Sequence, residues 1–278
     1  MTRFSPSDAA FEGFRVIGRH WRVVAGWALF NVVAEVAMIV LTVVIAIGLS
    51  AAAGGAGATQ LSGALGGVIW LFGFALIVAM LTAGAYRLML RPEEPAFLHL
   101  RLGRDELRLI AVWLVMLIAS FLFIGACAFV QRFAGRASLI VWLIALVVAV
   151  FLALRFALAP VASFADRRLG FAASWRLSRG RVWSLLGMAV LTACFLGLVF
   201  LASLLVLLPA VIATSGFSSL FEAMSEADAL KAHPGLYLGE TAFELVLMPV
   251  MIVLAAAPAA AAYRALTAEP ILDPDAQA

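Results

Sequence analysis

Three arginines, Arg87, Arg155 and Arg264, stand at the ends of long apolar runs in a repeated setting. The local sequences are Ala85-Tyr86-Arg87, Ala153-Leu154-Arg155 and Ala262-Tyr263-Arg264, followed by Pro92, Pro160 and Pro270. A guanidinium offers N–H donors in a planar fork that matches a phosphate or carboxylate. Three of them at the cytoplasmic mouth of a helix bundle would cradle such an anion. A second set, Arg15, Arg101 and Arg176, precedes the first, third and fifth runs among aromatic residues. Within the runs, Asn31 and Glu35 are the polar side chains at depth. A charge there is costly unless paired or wet, so an intramembrane ionisable group is a functional candidate by default.

Depth follows from helical rise. Glu35 lies about 18 Å in from Val23, and Arg155 about 13 Å from Phe164 if the helix runs that far. A Glu35–Arg155 pair is therefore geometrically open. The repeated setting of Arg155 beside Arg87 and Arg264 instead pulls it toward the inner interface, where a long side chain snorkels.

Catalytic patterns are missing. His20 and His99 fall on the inner side and His233 on the outer, so no three-histidine metal site is expected. The chain has no His-Glu-x-x-His, Walker loop, Gly-x-Ser-x-Gly or Cys-x-x-Cys. Neither enzyme chemistry nor a cofactor is expected. Cys127 and Cys194 fall about 10 Å apart in depth, beyond the roughly 7 Å a disulfide spans, and are read as packing residues.

The elements that must position these residues are membrane spans. Of 278 residues, 65% are hydrophobic and 13% charged, against roughly a quarter charged in soluble domains. The apolar runs are Val23–Leu49, Gly67–Leu90, Leu109–Val130, Leu139–Phe164, Trp183–Ile212 and Thr241–Leu266. Each is long enough for about 30 Å of hydrocarbon. The first follows 22 residues and exceeds a signal-peptide core, so it reads as a span. The fold class is all-α and polytopic, a single integral membrane domain with no room for a separate soluble one.

Arginine placement sets the orientation. Arg3, Arg15, Arg19 and Arg22 precede run one; Arg87, Arg91, Arg101, Arg104 and Arg108 join runs two and three; Arg167, Arg168, Arg176, Arg179 and Arg181 join runs four and five; Arg264 closes run six. The opposite loops hold only Arg132, Arg136 and Lys231. By the positive-inside rule both termini are cytoplasmic. The net charge of +3 sits in the inner loops, which points to anionic phospholipid and not to nucleic acid.

A period emerges on alignment. Phe11, Arg15, Arg22, Ala25 and Trp27 fall on Phe97, Arg101, Arg108, Ala111 and Trp113 without a gap, and Trp175-Arg176 onward to Trp183 follows more loosely. The chain reads as three hairpins, about residues 5–92, 93–160 and 161–270, each preceded by a basic helix lying in the inner membrane plane. In the first such helix Ser5 is a candidate N-cap with Pro6 at the first helical position. Phe11, Phe14, Ile17 and Trp21 share one face, and Glu12, Arg15, Arg19 and Arg22 another. Pro95 stands near the start of the second. Pro160, Pro209, Pro249 and Pro258 interrupt or end spans. Residues 50–66 form an uncharged Gly/Ala/Ser connector, Phe217 to Asp228 an amphipathic outer helix, and 271–278 a disordered tail.

The run LAPVASFADRRLGFAASWRLSRGRVWSLL, with Pro160, Asp166, Trp175, Arg179-Gly180 and Trp183, resembles the membrane domain of bacterial glycerophosphodiester phosphodiesterases and its stand-alone multi-pass relatives. About thirty residues carry the likeness. It implies a link to phospholipid or envelope biology, and no catalysis, because the phosphodiesterase barrel of fused members has no counterpart in this sequence.

The expected function is binding of anionic lipid headgroups by an integral inner-membrane protein in lipid or envelope homeostasis. The alternatives are a secondary transporter of a small anionic or proton-coupled substrate, and an accessory subunit that docks a cytoplasmic protein. Orientation is checked by impermeant maleimide labelling in a background with Cys127 and Cys194 replaced. Ser5→Cys should label only after the inner membrane is permeabilised, and His233→Cys without permeabilisation.

Overall fold

The computed structural model describes residues 5–53, 55–94, 97–135, 138–215 and 233–268. All regular structure among them is helical: α1 (Pro6–Arg19), α2 (Trp21–Ala53), α3 (Gly55–Leu90), a 3-10 turn (Phe97–His99), α4 (Arg104–Ala134), α5 (Ser138–Phe156), α6 (Ala159–Asp166), α7 (Phe171–Leu177), α8 (Val182–Ser215) and α9 (Pro234–Ala268). Six stretches are long and apolar enough to cross a membrane: Trp21–Ala52, Gln60–Leu90, Phe97–Phe133, Ser138–Asp166, Val182–Pro209 and Pro234–Ala268. They coincide with the six apolar runs. Leu29, Val33 and Val40 of α2, Phe121 and Leu122 of α4, Leu146 and Val147 of α5, and Leu201 and Leu205 of α8 are exposed on the chain. Water would leave that surface costly at about 25 cal/mol per Å², whereas hydrocarbon accepts it, and a helix satisfies its own backbone there. The architecture is that of an all-α, multi-pass membrane protein.

Local rules account for several boundaries. The α1 helix begins at Pro6, and the Asp8 N–H donates to Ser5 Oγ at 3.4 Å. Phe11 and Phe14 of α1 and Trp21 at the start of α2 are exposed, Phe14 with its ring edge-on to Phe195, while Ala9, Ala10, Gly13 and Val16 are buried. Small residues permit close approach of the helix backbone to the protein. The stretch before α4 departs from the expected helix. It holds a single 3-10 turn in which Leu98 and His99 have φ of 51° and 59°, and Arg104 and Arg108 belong to the start of α4 itself.

Other differences have similarly local causes. Helices α2 and α3 extend to Ala53 and from Gly55, so most of the Gly/Ala connector is helical. Alanine is the best helix former, and this stretch has no proline to stop it. Pro209, Pro249 and Pro258 sit inside continuous helices, and only Pro160 accompanies a break, at the start of α6. Cys127 is half-buried and Cys194 exposed, so neither is a core residue; both are free thiols. The expected outer helix near Phe217, the tail, and Arg3, Pro95, Arg136, Lys231 and Pro270 lie outside the described residues.

The helices form two compact units. The first takes the described parts of Met1–Gly13, Thr82–Leu191 and Ala256–Ala278; the second comprises those of Phe14–Leu81 and Thr192–Ala255. In the first, α4 packs on α5 and α6, and α7 packs on the same two helices. The short α6 is nearly engulfed, with Ala159, Val161, Ala162, Ser163 and Phe164 buried. Ser163 Oγ donates to Ala159 O at 2.6 Å and accepts the Gly170 N–H at 2.7 Å. Both Ala-Tyr-Arg exits address this helix: the Tyr86 ring lies 5.7 Å from that of Phe164, and Tyr263 Oη donates to Asp166 Oδ1 at 2.7 Å. In the second unit Trp27, Ile77, Ala79, Leu81 and Val253 are buried, and a Cβ on Gly73 would overlap Met38 Sδ.

Gly170 decides the α6–α7 approach. A Cβ there would stand 2.6 Å from Ser163 N and 2.7 Å from Ala162 Cβ. Gly170→Ala should destabilise the protein by about 1–3 kcal/mol. Gly67→Ala, with open space at its Cβ, should not destabilise it in the same thermal unfolding measurement in mild detergent.

Candidate functional site

A dense polar constellation grows from the C-terminal end of α3. Its last turn carries Arg87, and the chain then turns through Arg91, Pro92, Glu93 and Glu94. Gly103, in extended conformation, precedes α4 without a side-chain cap, and Asp105 and Glu106 occupy the first turn. Carboxylates belong there, where the unpaired N–H groups of the helix gather positive potential.

These segments bring five arginines onto three carboxylates. Arg87 is fully buried; its guanidinium pairs with buried Glu106 and donates to His99 O at 2.7 Å, and its Nε lies 3.9 Å from Glu94 Oε2. Glu94 also takes Arg91 at 3.3 Å, Arg101 at 3.2 Å and Arg167 at 3.0 Å. Asp105 takes Arg108, with Arg101 at 3.3 Å and Arg91 at 3.6 Å. The second guanidinium nitrogen of Arg91 donates to Phe164 O and Ala165 O at 2.8 and 2.9 Å, capping α6 with a cation where its dipole is negative. Arg91 also lies 4.8 Å from the Phe164 ring centroid.

Backbone strain collects at the same place. Leu98, His99 and Arg167 are the non-glycine residues with positive φ among those described. Each such conformation costs on the order of 1–3 kcal/mol and persists where surrounding contacts over-determine it. Here the contacts are named: His99 O holds Arg87, and Arg167 reaches Glu94 from the C-cap of α6.

The remaining sequence candidates fall elsewhere. Arg155 occupies the last turn of α5, which ends at Phe156, so the helix does not continue to Phe164 and the depth assigned from that continuity does not hold. Its guanidinium lies between the Phe151 and Trp175 rings at 5.1 and 4.8 Å, with Ser178 Oγ at 3.4 Å. Its carbonyl, released where the helix breaks, accepts from Ser174 Oγ at 2.7 Å. Arg264 reaches Glu12 at 3.4 Å and Met89 O at 3.5 Å. Arg87, Arg155 and Arg264 thus have separate partners and do not form the cradle expected of them. Arg15 and Arg176 are exposed on α1 and α7. Of the six, Arg87 and Arg101 share a partner, Glu94.

No family model, curated protein or solved structure matches the chain. The site must therefore be read from its own chemistry. Five guanidinium groups on three carboxylates leave a surplus of positive charge, and its exposed members are Arg101 and Arg167, whose side chains are 42% and 61% accessible. Glu94, Asp105 and Glu106 were missed by a reading that followed arginines alone. The spacing of Arg101, Asp105 and Arg108, at i, i+4 and i, i+3, was the available signal.

In the second unit, Asn31 is fully buried and Glu35 nearly so. Among the described residues no cationic side chain pairs with Glu35, so it has no guanidinium partner there.

Removing one member of the buried Arg87–Glu106 pair strands the other charge. Arg87→Leu and Glu106→Leu should each cost about 3–5 kcal/mol, and the double variant well under their sum. Thermal unfolding in detergent of the two single variants and the double variant measures the coupling.

Proposed function

We propose that this chain is a bacterial inner-membrane protein with both termini cytoplasmic, built as three hairpins with basic surface segments. It binds anionic phospholipid headgroups at its inner face and serves lipid or envelope homeostasis. The observation that carries this reading is the exposed corner from α6 to α8. There Arg167, Arg168, Arg176 and Arg179 are exposed together with Leu169, Trp175 and Trp183, the last 84% accessible. Tryptophan with arginine is the composition of a headgroup layer: the ring buries in the acyl boundary while the cation meets phosphate. Each arginine near an anionic leaflet contributes about 1 kcal/mol.

The binding set shifts accordingly from that expected of the sequence. Arg87 is committed to Glu106 and Arg155 to the α5–α7 corner, whereas Arg101 and Arg176 keep exposed guanidinium groups. The resemblance to the phosphodiesterase membrane domain lies in this same corner, Leu158 to Leu186, and supports the link to phospholipid.

Native mass spectrometry of the protein released from mild detergent should show retained anionic phospholipid. Arg168→Gln/Arg176→Gln/Arg179→Gln should weaken retention by about a hundredfold without changing the unfolding temperature. Equal retention of zwitterionic lipid, or no change in the triple variant, would overturn the reading. A stoichiometric cytoplasmic protein recovered in place of lipid would favour an accessory subunit.

A further inference from the structure

The first span holds a carboxyl group whose surroundings ask for a positive occupant. Asn31 and Glu35 are one helical turn apart on α2 and so share a face; they are 0% and 4% exposed. Asn31 Nδ2 donates to Leu245 O of α9 at 2.8 Å. That carbonyl is the one whose helical donor would be residue 249, and Pro249 has no N–H to give. The asparagine amide therefore replaces a missing backbone bond, and this fixes its orientation, since the flipped amide would set oxygen against oxygen. Asn31 Oδ1 is left as an acceptor.

That acceptor and Glu35 Oε2 are both buried without a hydrogen-bond partner. Two orphaned acceptors one turn apart, one belonging to an ionisable group in hydrocarbon, are costly unless a donor or cation meets them. A water molecule would supply donors and leave the carboxylate charge uncompensated. We propose that Asn31 Oδ1 and the Glu35 carboxyl bind one small monovalent cation, a proton or an alkali-metal ion, within the membrane.

The other titratable groups described in this unit are Arg15, Arg19, His20 and Arg22 at the inner end, Cys194 on α8, and His233, Tyr237, Glu240 and Glu244 near the outer end of α9. Glu240 is half-buried and Glu244 exposed, so α9 carries two more accessible carboxylates on the outer side of Leu245. They raise the local concentration of cations on that side. The site shares no residue with the headgroup-binding corner, and either reading stands if the other fails.

The test uses the full chain in detergent micelles and an apolar carbodiimide, which adds to a protonated carboxyl; the adduct at Glu35 is read by peptide mass spectrometry. Sodium, lithium, potassium and choline chlorides are compared across a pH series. Saturable protection of Glu35 by an alkali-metal ion but not by choline identifies a metal cation. Protection only by raising pH, along a single-site curve, identifies the proton. Absence of modification at every pH, or modification indifferent to both pH and salt, overturns the proposal. Asn31→Leu should shift the half-protection point at least tenfold, whereas Glu244→Gln should leave the saturable site in place. The wild-type measurement decides by itself if a variant fails to fold.

Discussion

The ion pair between Arg87 and Glu106 is the contact on which the polar site of the first unit depends. A guanidinium without solvent exposure needs its charge compensated, and Arg87 is met from three separate pieces of chain. Glu106 lies in the first turn of α4, His99 O in a strained turn, and Glu94 in the bend after α3. Satisfying Arg87 therefore fixes the path from α3 to α4, left-handed residues included. Such a pair is weak evidence of net stability, because desolvation of the two charges offsets their attraction.

The same accounting explains the rest of the polar interior. At three places where proline or a helix break releases a carbonyl, a side chain serves it. Asn31 serves Leu245, Ser174 serves Arg155, and Arg91 serves the end of α6. In hydrocarbon each unanswered group would be expensive. The Asn31 bond to Leu245 O stands where α9 runs through Pro249. On α2, Asn31 Oδ1 and Glu35 Oε2 are buried acceptors without a hydrogen-bond partner.

Two devices bring the helix ends together in the first unit. One is close packing on α6 through small residues and Gly170; the other is the pair of exit tyrosines, one stacking on Phe164 and one bonding Asp166. The repeated Ala-Tyr/Leu-Arg motif thus has a packing meaning in each copy. Its arginines nevertheless have different partners, because each exit meets a different neighbour.

The six long apolar helices and the cap at Ser5 were legible in the chain, because hydropathy over about twenty residues and capping are local properties. The role of Arg87, the outward turn of Phe11 and Trp21, and the separate surroundings of Arg155 and Arg264 were not. A guanidinium's partner is chosen by what folding brings within a few ångströms, and Glu94 to Arg167 is a contact across more than seventy residues. The face that α1 buries is likewise set by its neighbour, which admits Ala9, Ala10 and Gly13 and leaves the aromatic face exposed. The sequence by itself determined that this is a six-span helical protein and where its charges lie, whereas only tertiary structure decided which charges neutralise one another and which remain exposed.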